Sequence, residues 1–195
     1  THGDWSSHVC SSDLSDDKAS AGKASKGGFH HTDVTGSSLK PALNLPDQSG
    51  AIRQISDFRG KLLLVFFGFT HCPDVCPSTL QEAAEALSLL SAEQAQRVQV
   101  VFVTLDPERD QPEMLEAYVK AFHPSFAWLR GSEEQTKAAT KSFRVFYEKV
   151  TPKSGGPYTI DHTAASFVFD GEGQLRLYVK HAQGAKALAG DLARL

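Results

Sequence analysis

Two cysteines with three residues between them, in Cys72-Pro73-Asp74-Val75-Cys76, carry the most distinctive chemistry of this chain. Thiolates are nucleophiles and soft metal ligands, and a pair this close can converge on one point. Such a pair can form a disulfide, act as nucleophile and resolving group, or hold a soft metal. Pro77 limits how it is presented, because inside a helix its ring would clash with the carbonyl of Pro73. The expected arrangement puts Cys72 in a loop and Cys76 in the first helical turn, where the helix dipole favours thiolate. Inert structural cysteines fit less well, since those usually lie inside elements and not between prolines and an aspartate.

The elements around the pair must hold it in place. Leu62 to Phe67 is an apolar run too short to span a membrane and suited to a strand buried on both faces. Such strands deliver chemistry at their carboxyl ends, where this one meets the thiols. Ser78 to Leu90 has the apolar spacing of an amphipathic helix, through Leu80, Ala83, Ala84, Leu87 and Leu90. Val98 to Leu105 is a second buried strand, Pro112 to Phe122 a helix with proline in its first turn, and Phe126 to Leu129 a short strand. Ser132 and Gln135 form a capping box opening a helix to about Ser142. Arg144 to Val150 reads as a strand and Thr151 to Pro157 as a loop. Ser166 to Phe169 and Leu175 to Val179 form a hairpin across Asp170-Gly171-Glu172-Gly173, and a last helix covers Ala185 to Leu195. Upstream, Phe29 to Asp57 suggests a small β-hairpin. The order β-α-β-α-β-β-α, with thiols after the first core strand, predicts an α/β thioredoxin-like sandwich. Its central mixed sheet is flanked by helices and extended by the N-terminal hairpin.

Spacing discriminates among the uses of the thiols. Redox thioredoxins separate their cysteines by two residues, whereas this chain has three. Structural zinc would need four ligands, and no second cysteine pair exists. Two thiolates with one imidazole suit Cu(I), which is soft and tolerates low coordination. Among eight histidines, His71 adjoins Cys72 but should point away from it. His123 follows a helix far from the thiols in this order, and His181 lies past the second strand of the hairpin. His162, in the loop Tyr158 to His162, stands where the redox enzymes place a cis-proline beside the thiol loop. Spacing alone leaves it equally a ligand or a surface residue. The single methionine, Met114, argues against a thioether-rich metal site.

The bulk numbers set outer limits. A length of 195 residues suits one domain of roughly 150 to 165 residues plus a tail. The net charge of −3 gives no reason to expect nucleic acid or an anionic membrane. No stretch approaches the roughly 18 apolar residues of a membrane span. Thr1 to Gly28, polar and without periodicity, is expected to be a flexible tail, linker or remnant, and Cys10 and His8 fall within it. The folded domain is expected over 29–195.

The Cys72 to Pro77 motif follows an apolar strand ending Phe67-Gly68-Phe69-Thr70-His71, and Asp161-His162 lies downstream. In these features, and in Asp33-Val34-Thr35-Gly36, Asp57 to Lys61 and Thr104 to Asp110, the chain resembles the Sco (SenC/PrrC) copper-protein family from about Phe29 to Leu195. The resemblance implies a thioredoxin-like fold and one copper per chain, Cu(I) and also Cu(II), held by Cys72, Cys76 and His162. It further implies an assembly factor for the binuclear copper centre of cytochrome c oxidase, acting as copper donor, thiol reductase or both, and not as a turnover enzyme. The implied partners are the oxidase subunit carrying that centre and other copper chaperones or thiol reductants. The implied setting is the bacterial periplasm, through a membrane anchor outside this chain, or alternatively the mitochondrial intermembrane space. Asp161 could orient the His162 ring, and Asp74 suits a turn or cap. The rival readings are a thiol-disulfide oxidoreductase working through Cys72 and Cys76 without metal, and a copper or redox sensor. The partner face expected on this basis carries Phe69, His71 and the Tyr158 to His162 loop.

Overall fold

All seven residues of strand β4 (Leu62–Gly68) are buried, which requires cover on both edges and both faces. The edges are covered by β5 (Val98–Thr104), parallel to it from Leu62↔Val98 to Gly68↔Thr104, and by β9 (Ala165–Phe169), antiparallel to it. A computed structural model describes residues 28–195, so the expected tail, with Cys10 and His8, lies outside the described residues but for Gly28. The main sheet runs β1 (Thr32–Asp33), β10 (Leu175–Lys180), β9, β4, β5, β6 (Ala127–Leu129). Its β4-β5-β6 half is parallel and its other half antiparallel, the mixed sheet that the element order predicts.

Alternation along β4 sends neighbouring rings to opposite faces. Phe66 meets Phe102 at 6.0 Å, and Phe102 meets Tyr118 of helix α3 (Pro112–Phe122) at 5.7 Å. Phe67 instead meets Phe143 of α4 (Glu133–Phe143) edge-on at 4.9 Å, and Phe143 meets Phe167 at 5.0 Å. Each such ring, fully buried, contributes about 1.5–3 kcal/mol. Helix α1 (Val75–Ser88) packs beside α3 and α5 (Ala185–Ala193), burying Leu80, Ala83, Ala86 and Leu87. The result is a thioredoxin-like α/β sandwich.

The N-terminal hairpin is present as β2 (Leu45–Pro46) and β3 (Ile52–Arg53). Asp47 closes its turn by accepting from the Ser49 N–H, and Gly50 adopts φ 85°. Several expectations need correction. Helix α1 starts at Val75, not Ser78. Pro77 is then its third residue, where no intrahelical partner is owed, and Pro73 lies outside the helix. The strand expected from Arg144 begins only at Tyr147, because Arg144 caps α4 with a left-handed φ of 55°. Tyr158 to His162 is not a free loop. Thr159–His162 forms β8, antiparallel to β7 (Tyr147–Val150), in a ribbon separate from the main sheet. The sequence reading also missed β1 and the short helix α2 (Ala92–Gln96), although Ser91 and Gln94 form a capping box there.

Candidate metal centre

β4 ends at Gly68, and the chain turns at once: the Cys72 N–H donates to the Phe69 carbonyl at 3.2 Å. Asp74 takes the cap position of α1, as the sequence suggested, and its carboxylate accepts from the Ser78 hydroxyl at 3.3 Å. Cys72 is thus left in the loop, half-buried, and Cys76 sits in the first helical turn, fully buried. The Cys76 N–H points at the Cys72 sulfur, 3.4 Å away. Both cysteines are free thiols.

His162 closes the group from the far end of the chain. As the last residue of β8 it pairs with Tyr147, and its ring stands edge-on to Phe69 at 5.8 Å and near Phe66 at 6.2 Å. Its Nδ1 lies 3.0 Å from the Thr163 carbonyl oxygen. A carbonyl only accepts, so Nδ1 carries the proton and Nε2 presents its lone pair. That Nε2 lies 3.5 Å from the Cys76 sulfur. The donor atoms of Cys72, Cys76 and His162 all fall within 4.8 Å of one another. Among the described residues no other such group of three histidine, cysteine or carboxylate side chains forms. Two sulfurs and one imidazole, half open to solvent, are a soft donor set of low coordination number.

The two thiols are not equivalent. A hydrogen bond from the Cys76 thiol, helped by the Cys76 and Asp74 N–H groups, holds the Cys72 thiol well below the usual thiol range against its burial. The same hydrogen bond, with burial, pushes Cys76 upward. Cys72 is thus the thiol that ionises more readily, and Cys76 the one that keeps its proton longer. Iodoacetamide at mildly acidic pH is expected to label Cys72 well before Cys76, as mass spectrometry of the Cys72 to Cys76 peptide will show. Equal labelling would contradict the asymmetry.

Other predicted residues lie apart from the group. Asp161 is exposed opposite Glu148, because neighbours on a strand point to opposite faces, and the ring of His162 is oriented by the Thr163 carbonyl instead. Asp74 stays at the helix cap. His123 lies against Phe126 at 5.2 Å, and His181 meets Thr79 at 3.1 Å. His71 is exposed beside the loop. Phe69, expected on an exposed partner face, is buried at 1% against His162. The exposed aromatic next to the site is Phe146, whose backbone pairs with Thr163 on both sides.

Sequence reasoning missed three supports. Asp110, fully buried, accepts from the Thr70 hydroxyl (2.6 Å), the Thr70 N–H (3.0 Å) and the Thr104 hydroxyl (2.7 Å), tying the thiol loop to the end of β5. Gly68 is the second, since a Cβ there would lie 2.7 Å from the Cys76 sulfur. A glycine ending an otherwise continuous apolar strand, immediately before the thiols, was its signal. The Thr163 carbonyl, a backbone atom, had none.

Comparison with known proteins agrees with the geometry. The SCO1/SenC family model matches residues 32–195. An SCO2-like protein of Rickettsia felis is 40% identical over 138 residues, covering 70% of this chain and 65% of that protein. The mitochondrial SCO2 homolog of Homo sapiens is 37% identical over 152 residues, 77% of this chain and 57% of that protein. The chain thus spans less than two thirds of the length of these relatives. Among solved structures, copper-bound ScoI of Bradyrhizobium japonicum superposes with TM-score 0.71 at 35% identity, covering 80% of this chain and 99% of that one. Apo Sco1 of Thermus thermophilus gives 0.69 at 43%, covering 84% and 97%.

Proposed function

The chain belongs to the SCO1/SenC family, and from that premise we propose that it is a copper-binding assembly factor for the binuclear copper centre of cytochrome c oxidase. The observation that carries this reading is the convergence of the Cys72 and Cys76 sulfurs with the bare Nε2 of His162. Copper-bound relatives support the choice of metal, and a further solved relative is described as one of a family of cytochrome c oxidase assembly proteins. The two sulfurs and the imidazole supply strong soft ligation for one Cu(I), and the half-open Cys72 side leaves room for a partner's ligands to take the metal away. Cu(II) would add a water or oxygen donor on that side. The partners in this reading are the oxidase subunit that carries the copper centre and the chaperone that supplies copper. The setting is the periplasm, with a membrane anchor outside this chain. Among the described residues no helix is long and apolar enough to cross a membrane.

The unequal thiols favour a second role on the same scaffold. The Cys72 thiolate would attack a disulfide of the target, forming a mixed disulfide and releasing one target thiolate. Cys76, giving up its proton, would then attack Cys72 and release the second target thiol. Two electrons pass to the target and a Cys72–Cys76 disulfide remains. An anaerobic Cu(I) competition titration separates the readings. One equivalent bound tightly by Cys72, Cys76 and His162 is expected; absence of stoichiometric binding would overturn the copper reading and leave the thiol reductase.

A further inference from the structure

From the contacts of the loop between β5 and α3 we infer that Asp106, Arg109 and Tyr158 form a clamp that holds His162 within reach of the two sulfurs. Arg109 and Tyr158 are then positioning residues for copper binding. Asp106 is fully buried and uses both carboxylate oxygens. One accepts from the Nε–H of Arg109, the other from the Tyr158 hydroxyl at 2.7 Å. Arg109 closes the triangle. Its Nη1–H donates to the Tyr158 carbonyl at 2.7 Å, and its guanidinium carbon lies 3.7 Å from the centre of the Tyr158 ring. Tyr158 is thus gripped through its hydroxyl, its ring and its backbone. The remaining Arg109 nitrogen, Nη2, is buried without a hydrogen-bond partner. A buried ion pair with an unpaired donor is a poor source of stability, so what these contacts chiefly supply is a fixed geometry.

Tyr158 immediately precedes β8, and His162 is the last residue of that strand. β8 pairs only with β7, and a two-stranded ribbon is marginal by itself. Beyond His162 the chain enters the main sheet at Ala165, which fixes that end. The other end follows the Pro/Gly loop and is held by the clamp. The β5–α3 loop grips the thiols as well, because its Asp110 accepts from Thr70, two residues before Cys72. One short loop is therefore hydrogen-bonded to both halves of a site whose Cys76 and His162 lie 86 residues apart. Loosening the Tyr158 side should release the nitrogen end and leave the sulfur end in place.

The inference rests on the copper reading for its purpose, and two mild substitutions in the full chain test it. Tyr158→Phe removes one hydrogen bond and keeps the ring, whereas Arg109→Lys keeps the charge and loses the planar fork. Each is expected to weaken Cu(I) binding about 10–100-fold in an anaerobic competition titration, the range for groups that orient a ligand. In a His162→Ala background the same substitutions should leave the remaining affinity unchanged, because the group they act through is gone. Equal losses in both backgrounds would mean that they act through the fold at large, and would overturn the clamp. Unchanged affinity in both variants would overturn it too. A metal-free readout stands beside the titration: the NMR signals of the His162 ring should shift or broaden in Tyr158→Phe. Ring signals identical to those of the wild type would contradict the clamp. A wild-type chain that bound no copper would sink the copper reading instead, while the ring signals would still decide the clamp.

Discussion

His162→Ala is expected to lower the Cu(I) affinity of the chain by more than about 100-fold, since even groups that merely orient a ligand contribute roughly 10–100-fold. The variant removes the one imidazole that, among the described residues, joins both sulfurs, and leaves Cu(I) with two donors. Disulfide formation between Cys72 and Cys76 should persist. Their approach is set by the turn at Phe69 and the first turn of α1, not by the imidazole. The split matters more than either result alone, because a metal-free dithiol mechanism has no use for His162. An unchanged dissociation constant in an anaerobic competition titration would sink the ligand assignment. Loss of disulfide formation as well would mean that the ring positions the thiols and does more than bind metal.

Gly68→Ala is the second large effect, and it acts from beneath the site. The backbone at Gly68 needs no positive φ, so the strain comes from space alone. A methyl there would sit 2.7 Å from the Cys76 sulfur, 2.9 Å from Phe102 Cε2 and 3.0 Å from Phe66 Cε1. The two rings belong to the packed face under α1 and α3 and cannot both withdraw, so the sulfur or the strand end must give way. Overpacking of this kind costs about 1–3 kcal/mol. For a chain of this size each kcal/mol lowers Tm by about 2–4 °C, so calorimetry should show a clear drop. Copper affinity should fall too, because Cys76 would be pushed off the point where it meets His162 Nε2. A variant with wild-type Tm and copper affinity would show that the strand end yields freely.

Much of this was legible in the residues. The apolar run of β4, the helix after it and the capping box at Ser132 rest on local signals, namely hydrophobic periodicity and turn chemistry. Boundaries slipped where local signals compete. The apolar spacing from Ser78 sets the helix start three residues late, since Pro77 fits the first turn, and Arg144 looks like strand until its left-handed cap is seen. The segment ending at His162 reads as a loop because its partner β7 lies across a Pro/Gly connection, and pairing alone makes it a strand.

The sequence by itself determined that this chain carries two soft ligands at the end of a buried strand, and its motifs determined the family. The family resemblance already pointed to His162, and the tertiary structure adds which of its nitrogens is bare and which thiol ionises more readily. The reason is physical. A thiol pair and its helix are written within a few residues, whereas the Nε2 lone pair depends on a backbone carbonyl at Thr163. The room for the Cys76 sulfur likewise depends on an absent side chain at Gly68. Neither is a residue type that chemistry singles out in advance. Both acquire meaning only when β4, α1 and the β7-β8 ribbon pack against one another.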